Sequence, residues 1–155
     1  MNTFAKAYNP ETAATDGGIA IVSEYDLEAT PTKATVAQVY DFIIKDIEDA
    51  LPYLQEEPVN VYHPSKAFGY ALAARVYLFH RDWKKAKDAA EESLKRNNAL
   101  IDYIALDAVG GPTKVSTYAK GGNPEVLNYA YMGSTSDNPA YTYGMISPEL
   151  VQLFG

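Results

Sequence analysis

The chain has 155 residues and no cysteine. That excludes a disulfide framework, thiolate catalysis and cysteine-ligated metal, while leaving the redox compartment open. Imidazoles are scarce as well, with His63 and His80 the only two. His80-Arg81-Asp82 has the residue types of a partial metal site, yet it falls where a helix–helix turn is expected and needs no metal there. Long apolar runs are missing: nothing approaches the ~18–20 residues of a membrane span. Residues 1–8, MNTFAKAY, have neither the basic start nor the apolar core of a signal peptide, so export would require a leader outside this chain. Positive charge is in deficit, 13 Lys and Arg against 20 Asp and Glu for a net −7. Nucleic-acid phosphates would be repelled, and anionic lipid surfaces disfavoured more weakly.

What is present describes a globular domain with a real core, since 47% of residues are hydrophobic and 21% charged. Thirteen tyrosines accompany a single tryptophan. Tyrosine offers a flat apolar face and a hydroxyl, which suits sugar stacking as well as ordinary cores and interfaces.

Residues 64–97, PSKAFGYALAARVYLFHRDWKKAKDAAEESLKRN, form the organising stretch. They read as two antiparallel helices joined by a tight turn at His80-Arg81-Asp82. The first is apolar nearly all round, interrupted by Lys66, Arg75 and His80, and is expected to be buried on every side. Arg75 then needs a carboxylate partner on the preceding helix, Asp46 or Asp49. The second helix is amphipathic, with Trp83, Ala86, Ala90, Ser93 and Leu94 on one face and charges on the other. Asp82 is a good N-cap, and Glu91–Lys95 and Glu92–Arg96 have favourable acid-before-base spacing. The series Ala74, Tyr77, Trp83, Ala86, Ala90, Ser93 follows the tetratricopeptide order of small and large residues. Such a hairpin requires neighbours to cover it.

Upstream, Phe4, Ala5, Ala7 and Tyr8 suggest a short helix ended by Pro10. Asn9-Pro10 and Asp16-Gly17-Gly18 mark turns. Gly18 to Val22 is a short extended, buried run, and residues 24–33 are irregular. Thr35-Val36-Ala37-Gln38 is a capping box. Val36, Val39, Tyr40, Ile43, Ile44, Ile47, Ala50, Leu51 and Leu54 then recur at helical spacing, with Leu51-Pro52 marking the helix end. Three helices in sequence would stack as in a solenoid. After Asn97 the chain becomes loop-rich, with Tyr103, Ile104, Leu106, Val109 and Tyr118 as anchors. Residues 125–131 read as a strand, and Ser147-Pro148-Glu149 as a helix start that breaks off after about two turns. A helix that stops so soon suggests a piece of something longer.

No enzyme emerges from these residues. Asp46, Glu48, Asp49, Glu56 and Glu57 follow the polar side of a helix and its exit, which is a solvated face rather than a carboxylate pair. No nucleophile elbow or phosphate-cradling loop is present. The Tyr-rich segment 129–143 is the one ligand platform: Tyr141 and Tyr143 supply stacking faces beside Asp137 and Asn138. The plain alternative is that these tyrosines pack a loop.

A family likeness runs along nearly the whole chain. Gly18-Ile19-Ala20-Ile21-Val22, the series from Thr35 to Leu54, Ser65-Lys66-Ala67 into Ala71–Leu78, and Asp82-Trp83 with Ala86 and Ala90 together resemble the middle of SusD/RagB-like proteins. Asn123-Pro124-Glu125-Val126 and Ser147-Pro148-Glu149-Leu150-Val151 look like that family's later strand and helix start. The resemblance implies a mainly α fold of tetratricopeptide-like helical hairpins with long irregular loops and a short strand. It implies one truncated domain: an extended lead-in over 1–34, helices over 35–97 and a loop-rich segment over 98–155. It further implies a non-catalytic outer-membrane lipoprotein, without cofactor or metal, that captures a glycan or oligosaccharide at the cell surface. The ligand would pass to a SusC-like TonB-dependent transporter, and membrane attachment would come only from a lipid anchor absent from this chain. The competing reading is an intracellular tetratricopeptide adaptor, which should repeat at about 34 residues; here the chain departs into loops after Asn97. A glycoside hydrolase fragment would need converging carboxylates, which the sequence lacks.

Overall fold

A computed structural model describes residues 4–23, 28, 30–102, 104 and 123–128 of the chain. Two short strands, β1 (Gly17–Ala20) and β2 (Lys33–Thr35), precede helices α1 (Val36–Ala50), α2 (Lys66–Phe79) and α3 (Trp83–Arg96). The architecture is mainly helical, and α2 and α3 form the tetratricopeptide-like hairpin. The strands pair antiparallel, Gly17 opposite Thr35 and Ala20 opposite Lys33, with an irregularity between.

Local chemistry explains each helix start. Thr35 Oγ1 accepts from the Gln38 amide at 3.2 Å while Gln38 Oε1 accepts from the Thr35 amide at 2.9 Å, so the capping box forms as read. The other free amides of the first turn of α1 are met by the lead-in: Val36 donates to Asp16 O and Ala37 to Ala13 O, both at 2.9 Å. Ser65 caps α2 by accepting from the Phe68 amide, and Asp82 caps α3 by accepting from that of Lys85. Helix α1 gives way at Ala50 to a 3₁₀ turn over Leu51–Tyr53, where Pro52 cannot continue the backbone ladder.

Two small cores result. Ala13, Val36 and Tyr40 bury the lead-in against the first turns of α1. Ala73, Tyr77, Ala86 and Ala89 bury α2 against α3, with Ile44 and Ile47 of α1 packed on them. The alanines let the α2 and α3 backbones approach closely, and Ser93 Oγ adds a buried bond to Ala67 O at 2.9 Å.

Several expectations are corrected. Phe4 to Tyr8 form no helix; the turns instead follow Asn9-Pro10, where Asn9 O accepts from Thr12 and Ala13. Helix α2 is not covered on every side: Leu72, Leu78 and Phe79 are 40–51% exposed. Arg75 lies on that outer face and makes no ion pair among the described residues, while Asp49 pairs with Lys45. A solvated guanidinium needs no partner, so the premise of burial fails and the pairing with it. On α3 the packed face is Ala86, Ala89 and Ser93, whereas Trp83 and Leu94 are exposed. Glu92–Arg96 pairs as expected, but Glu91 meets Lys87 and Lys95 turns back to Glu92. Ile104 is exposed among the described residues and not buried as the expected anchor would be. Residues 125–128 are not a strand; Asn123 Oδ1 accepts from the Glu125 amide and closes a turn there.

Candidate functional site

The four residues of the expected ligand platform, Asp137, Asn138, Tyr141 and Tyr143, lie outside the described residues, as do Tyr103, Leu106, Val109, Tyr118, the strand residues 129–131 and the helix start at Ser147. The site is therefore built from what surrounds their point of departure, the end of α3 and the returning segment 123–128.

A cleft of about 310 Å³ opens there, lined by Leu94, Asn97, Asn98, Leu100, Glu125 and Leu127 among others. Several of its polar groups bond within the protein. Asn97 Nδ2 donates to Pro124 O at 3.1 Å, and Glu125 Oε1 accepts from the Ile101 amide at 2.9 Å. Asn128 Nδ2 ties the same segment to Val61 O. These bonds tie residues 124–128 to the end of α3, to Ile101 just beyond it and to the linker before α2.

Two carboxylates near the helices, Glu48 and Glu56, are engaged structurally. Glu48 Oε1 accepts from the Tyr77 hydroxyl at 2.7 Å and from Lys85 Nζ at 3.2 Å. The tyrosine hydrogen bond first, and Lys85 second, hold the Glu48 carboxyl below its ordinary range. Burial, reinforced by Glu48, pushes the Tyr77 phenol up. Glu56 pairs with Arg96 at 2.9 Å and Lys66 at 3.3 Å, and the Arg96 hydrogen bond lowers its carboxyl. Arg96 also lies 4.7 Å from the Tyr70 ring centroid and reaches Glu92 at 2.8 Å.

No group of three or more metal-ligating side chains exists among the described residues. His63 is exposed and contacts Asn60. His80, at the C-cap of α2, sits 4.2 Å from the Tyr8 ring and 5.7 Å from that of Tyr40. Sequence reasoning missed this aromatic cluster, because Tyr8 is 72 positions from His80 and no periodicity connects them. The described geometry thus has the character of a scaffold of helical hairpins laced by ion pairs, and the carboxylates that line a cleft of about 270 Å³ between α2 and α3, Asp88 and Glu92, are paired with Lys84 and with Lys95 and Arg96.

That class of protein agrees with the comparisons. Residues 1–78 match the SusD-like family described as starch-binding and associating with the outer membrane, and the chain belongs to this SusD-like family. Among solved structures, it is similar to a SusD superfamily protein from Bacteroides vulgatus at 32% identity and TM-score 0.60, covering 68% of this chain and 25% of that one. A SusD superfamily protein from Bacteroides thetaiotaomicron is also 32% identical, with TM-score 0.54 over 62% and 21% of the two chains. A candidate sugar-binding protein of Bacteroides vulgatus shares 26% identity and TM-score 0.50 over 54% and 19%. The chain therefore spans about a quarter or less of the length of these relatives. No curated protein matches it.

Proposed function

We propose that this chain is the scaffold part of a non-catalytic glycan-binding protein displayed at the bacterial cell surface. A lipid anchor outside the chain holds that protein on the outer membrane, and its partner is a SusC-like TonB-dependent transporter that receives the glycan. The chain acts as one domain, with the lead-in of residues 1–34 bracing helices 35–97 and the segment 98–155 carrying the ligand contacts. The single observation that carries this reading is membership of a family described as starch-binding at the outer membrane. Its non-catalytic character is supported by the ion pairs that absorb Glu48, Asp49 and Glu56. Tyr141 and Tyr143 stack on sugar rings, and Asp137 and Asn138 bond to hydroxyls.

Isothermal titration calorimetry tests it, on the chain in the longest form in which it is encoded, against maltooligosaccharides and a panel of other glycans. Binding should occur without turnover, and Tyr141→Ala with Tyr143→Ala should weaken it roughly tenfold or more. Binding that survives both substitutions moves the site elsewhere. Absence of binding to every glycan, or release of a cleaved product, overturns the reading.

A further inference from the structure

A second cleft, of about 450 Å³, lies at the α2–α3 turn, lined by Tyr8, His80, Arg81, Asp82, Trp83 and Lys84. Its aromatic part is braced from behind. Tyr8 packs edge-on against buried Tyr40 at 5.2 Å and against His80 at 4.2 Å. On the other side stands Trp83, the only tryptophan of the chain, with 63% of its surface exposed. Trp83 is one of several exposed large apolar side chains, and it is set apart by its place in the cleft and by a backbone fixed by the Asp82 cap immediately before it. An indole presented to solvent beside hydrogen-bonding groups has the composition of a saccharide platform.

The charges of the cleft are not equivalent. Asp82 Oδ1 is engaged by the Lys85 amide at 3.1 Å, and Lys84 Nζ is paired with Asp88 at 2.8 Å. Of the three charged side chains that line the cleft, that of Arg81 is the one with no hydrogen bond or ion pair among the described residues. Its backbone is left-handed, φ 64°, a conformation that glycine adopts without cost and arginine does not. The side chain occupies a position where the backbone alone would favour none. A planar, weakly hydrated cation is suited to bidentate contact with a carboxylate or sulfate.

We propose that this turn is a second saccharide site, selective for acidic sugars, with Trp83 as the stacking face and Arg81 as the group that reads the anion. The inference rests on the glycan reading above and adds a locus and a sugar class to it. Calorimetry with an oligogalacturonide, a sulfated chondroitin oligosaccharide and a neutral maltooligosaccharide, on the same longest form, tests it. The acidic sugars should bind more tightly than the neutral one and weaken with added salt. Trp83→Ala should reduce their affinity roughly tenfold. Arg81→Gly, which suits the backbone, should abolish the preference for acid while leaving the melting temperature unchanged or raised. Circular dichroism on both variants verifies the fold.

Acidic glycans that bind with unchanged affinity in both variants overturn this site and leave the glycan reading standing. Tryptophan-dependent binding without any preference for acid overturns the assigned sugar class. Absence of all glycan binding overturns both readings.

Discussion

At the scale of single residues, neighbours more than residue type decide what a substitution costs. A methyl group added at Gly18 would meet the Thr35 carbonyl oxygen at 2.9 Å and that of Ala34 at 3.0 Å. Backbone of a paired strand cannot step aside, so Gly18→Ala should destabilise by about 1–3 kcal/mol. At Gly69 the obstacles are Leu54 Cδ1 and Leu51 Cδ2, ends of side chains that can rotate, and alanine gains roughly 1 kcal/mol of helix propensity there. Urea denaturation should therefore rank Gly18→Ala well below Gly69→Ala in stability. Tyr77 is the second informative position, since its hydroxyl reaches Glu48 across helices. The bond favours the Glu48 carboxylate, so its folded pKa lies below the ordinary 4.5. Its stabilisation is fully present above that ordinary value and is lost as pH falls through the lower, folded one. Tyr77 works in the opposite sense: raised above the ordinary 10.0, it loses its contribution only as pH climbs past that value. Tyr77→Phe should cost about 1 kcal/mol at neutral pH, discounted because Glu48 is half exposed. It should also flatten the decline in melting temperature between pH 5 and 3 (roughly the carboxylate range).

At the scale of elements, what was legible in the sequence was what depends on near neighbours. The caps at Thr35 and Asp82, the turn at His80-Arg81-Asp82 and the stop at Pro52 all use residues within a few positions of one another. All are present in the fold. The two strands were not legible as a pair, because β2 finds β1 across some 13–18 positions and has only three residues in which to show any alternation. The reading of 125–131 as a strand failed in its described part for a related reason: its alternation is weak, and the turn closed by Asn123 overrides it. Arg75 misled because a nearly all-apolar helix reads as all-buried, and sequence does not reveal which side remains uncovered. The spacing of small residues was a partial guide: Tyr77 and Ala86 of the series lie where α2 and α3 touch, but the other buried contacts there are Ala73 and Ala89, each one position before the expected Ala74 and Ala90. Ala89→Leu should force the helices apart and cost about 1–3 kcal/mol. Thr35→Ala should cost about 1 kcal/mol through the lost cap. Urea midpoints on both variants measure the difference, and a near-neutral Ala89→Leu would mean that the hairpin is packed more loosely than its geometry implies.

At the scale of the whole molecule, the helices, the linker after α1 and residues 123–128 are joined by polar ties whose partners are far apart in sequence. The candidate platform at Asp137, Asn138, Tyr141 and Tyr143 was legible only as composition, aromatic faces beside amide and carboxylate groups. Placing it requires contacts that local pattern does not encode. Arg96 is the clearest of the long-range ties. It joins the last turn of α3 to Glu56 in the linker that follows α1, 40 positions away, and lies over the Tyr70 ring of α2. Lys95, one residue earlier, bonds among the described residues to Glu92 within its own helix. Both are surface cations with raised affinity for their proton from carboxylate partners, so charge alone would predict equal consequences on removal. Geometry predicts otherwise, because a planar guanidinium stacked on an aromatic ring and bonded to two carboxylates holds three elements in one arrangement, whereas an exposed pair within one helix adds little. Arg96→Ala should therefore lower the melting temperature clearly more than Lys95→Ala, and Arg96→Lys should recover only part of the loss, because lysine keeps the charge but not the fork or the stacking face. Equal effects of Arg96→Ala and Lys95→Ala in thermal denaturation would show that the linker is held by packing at Leu51 and Leu54 instead of by this tie.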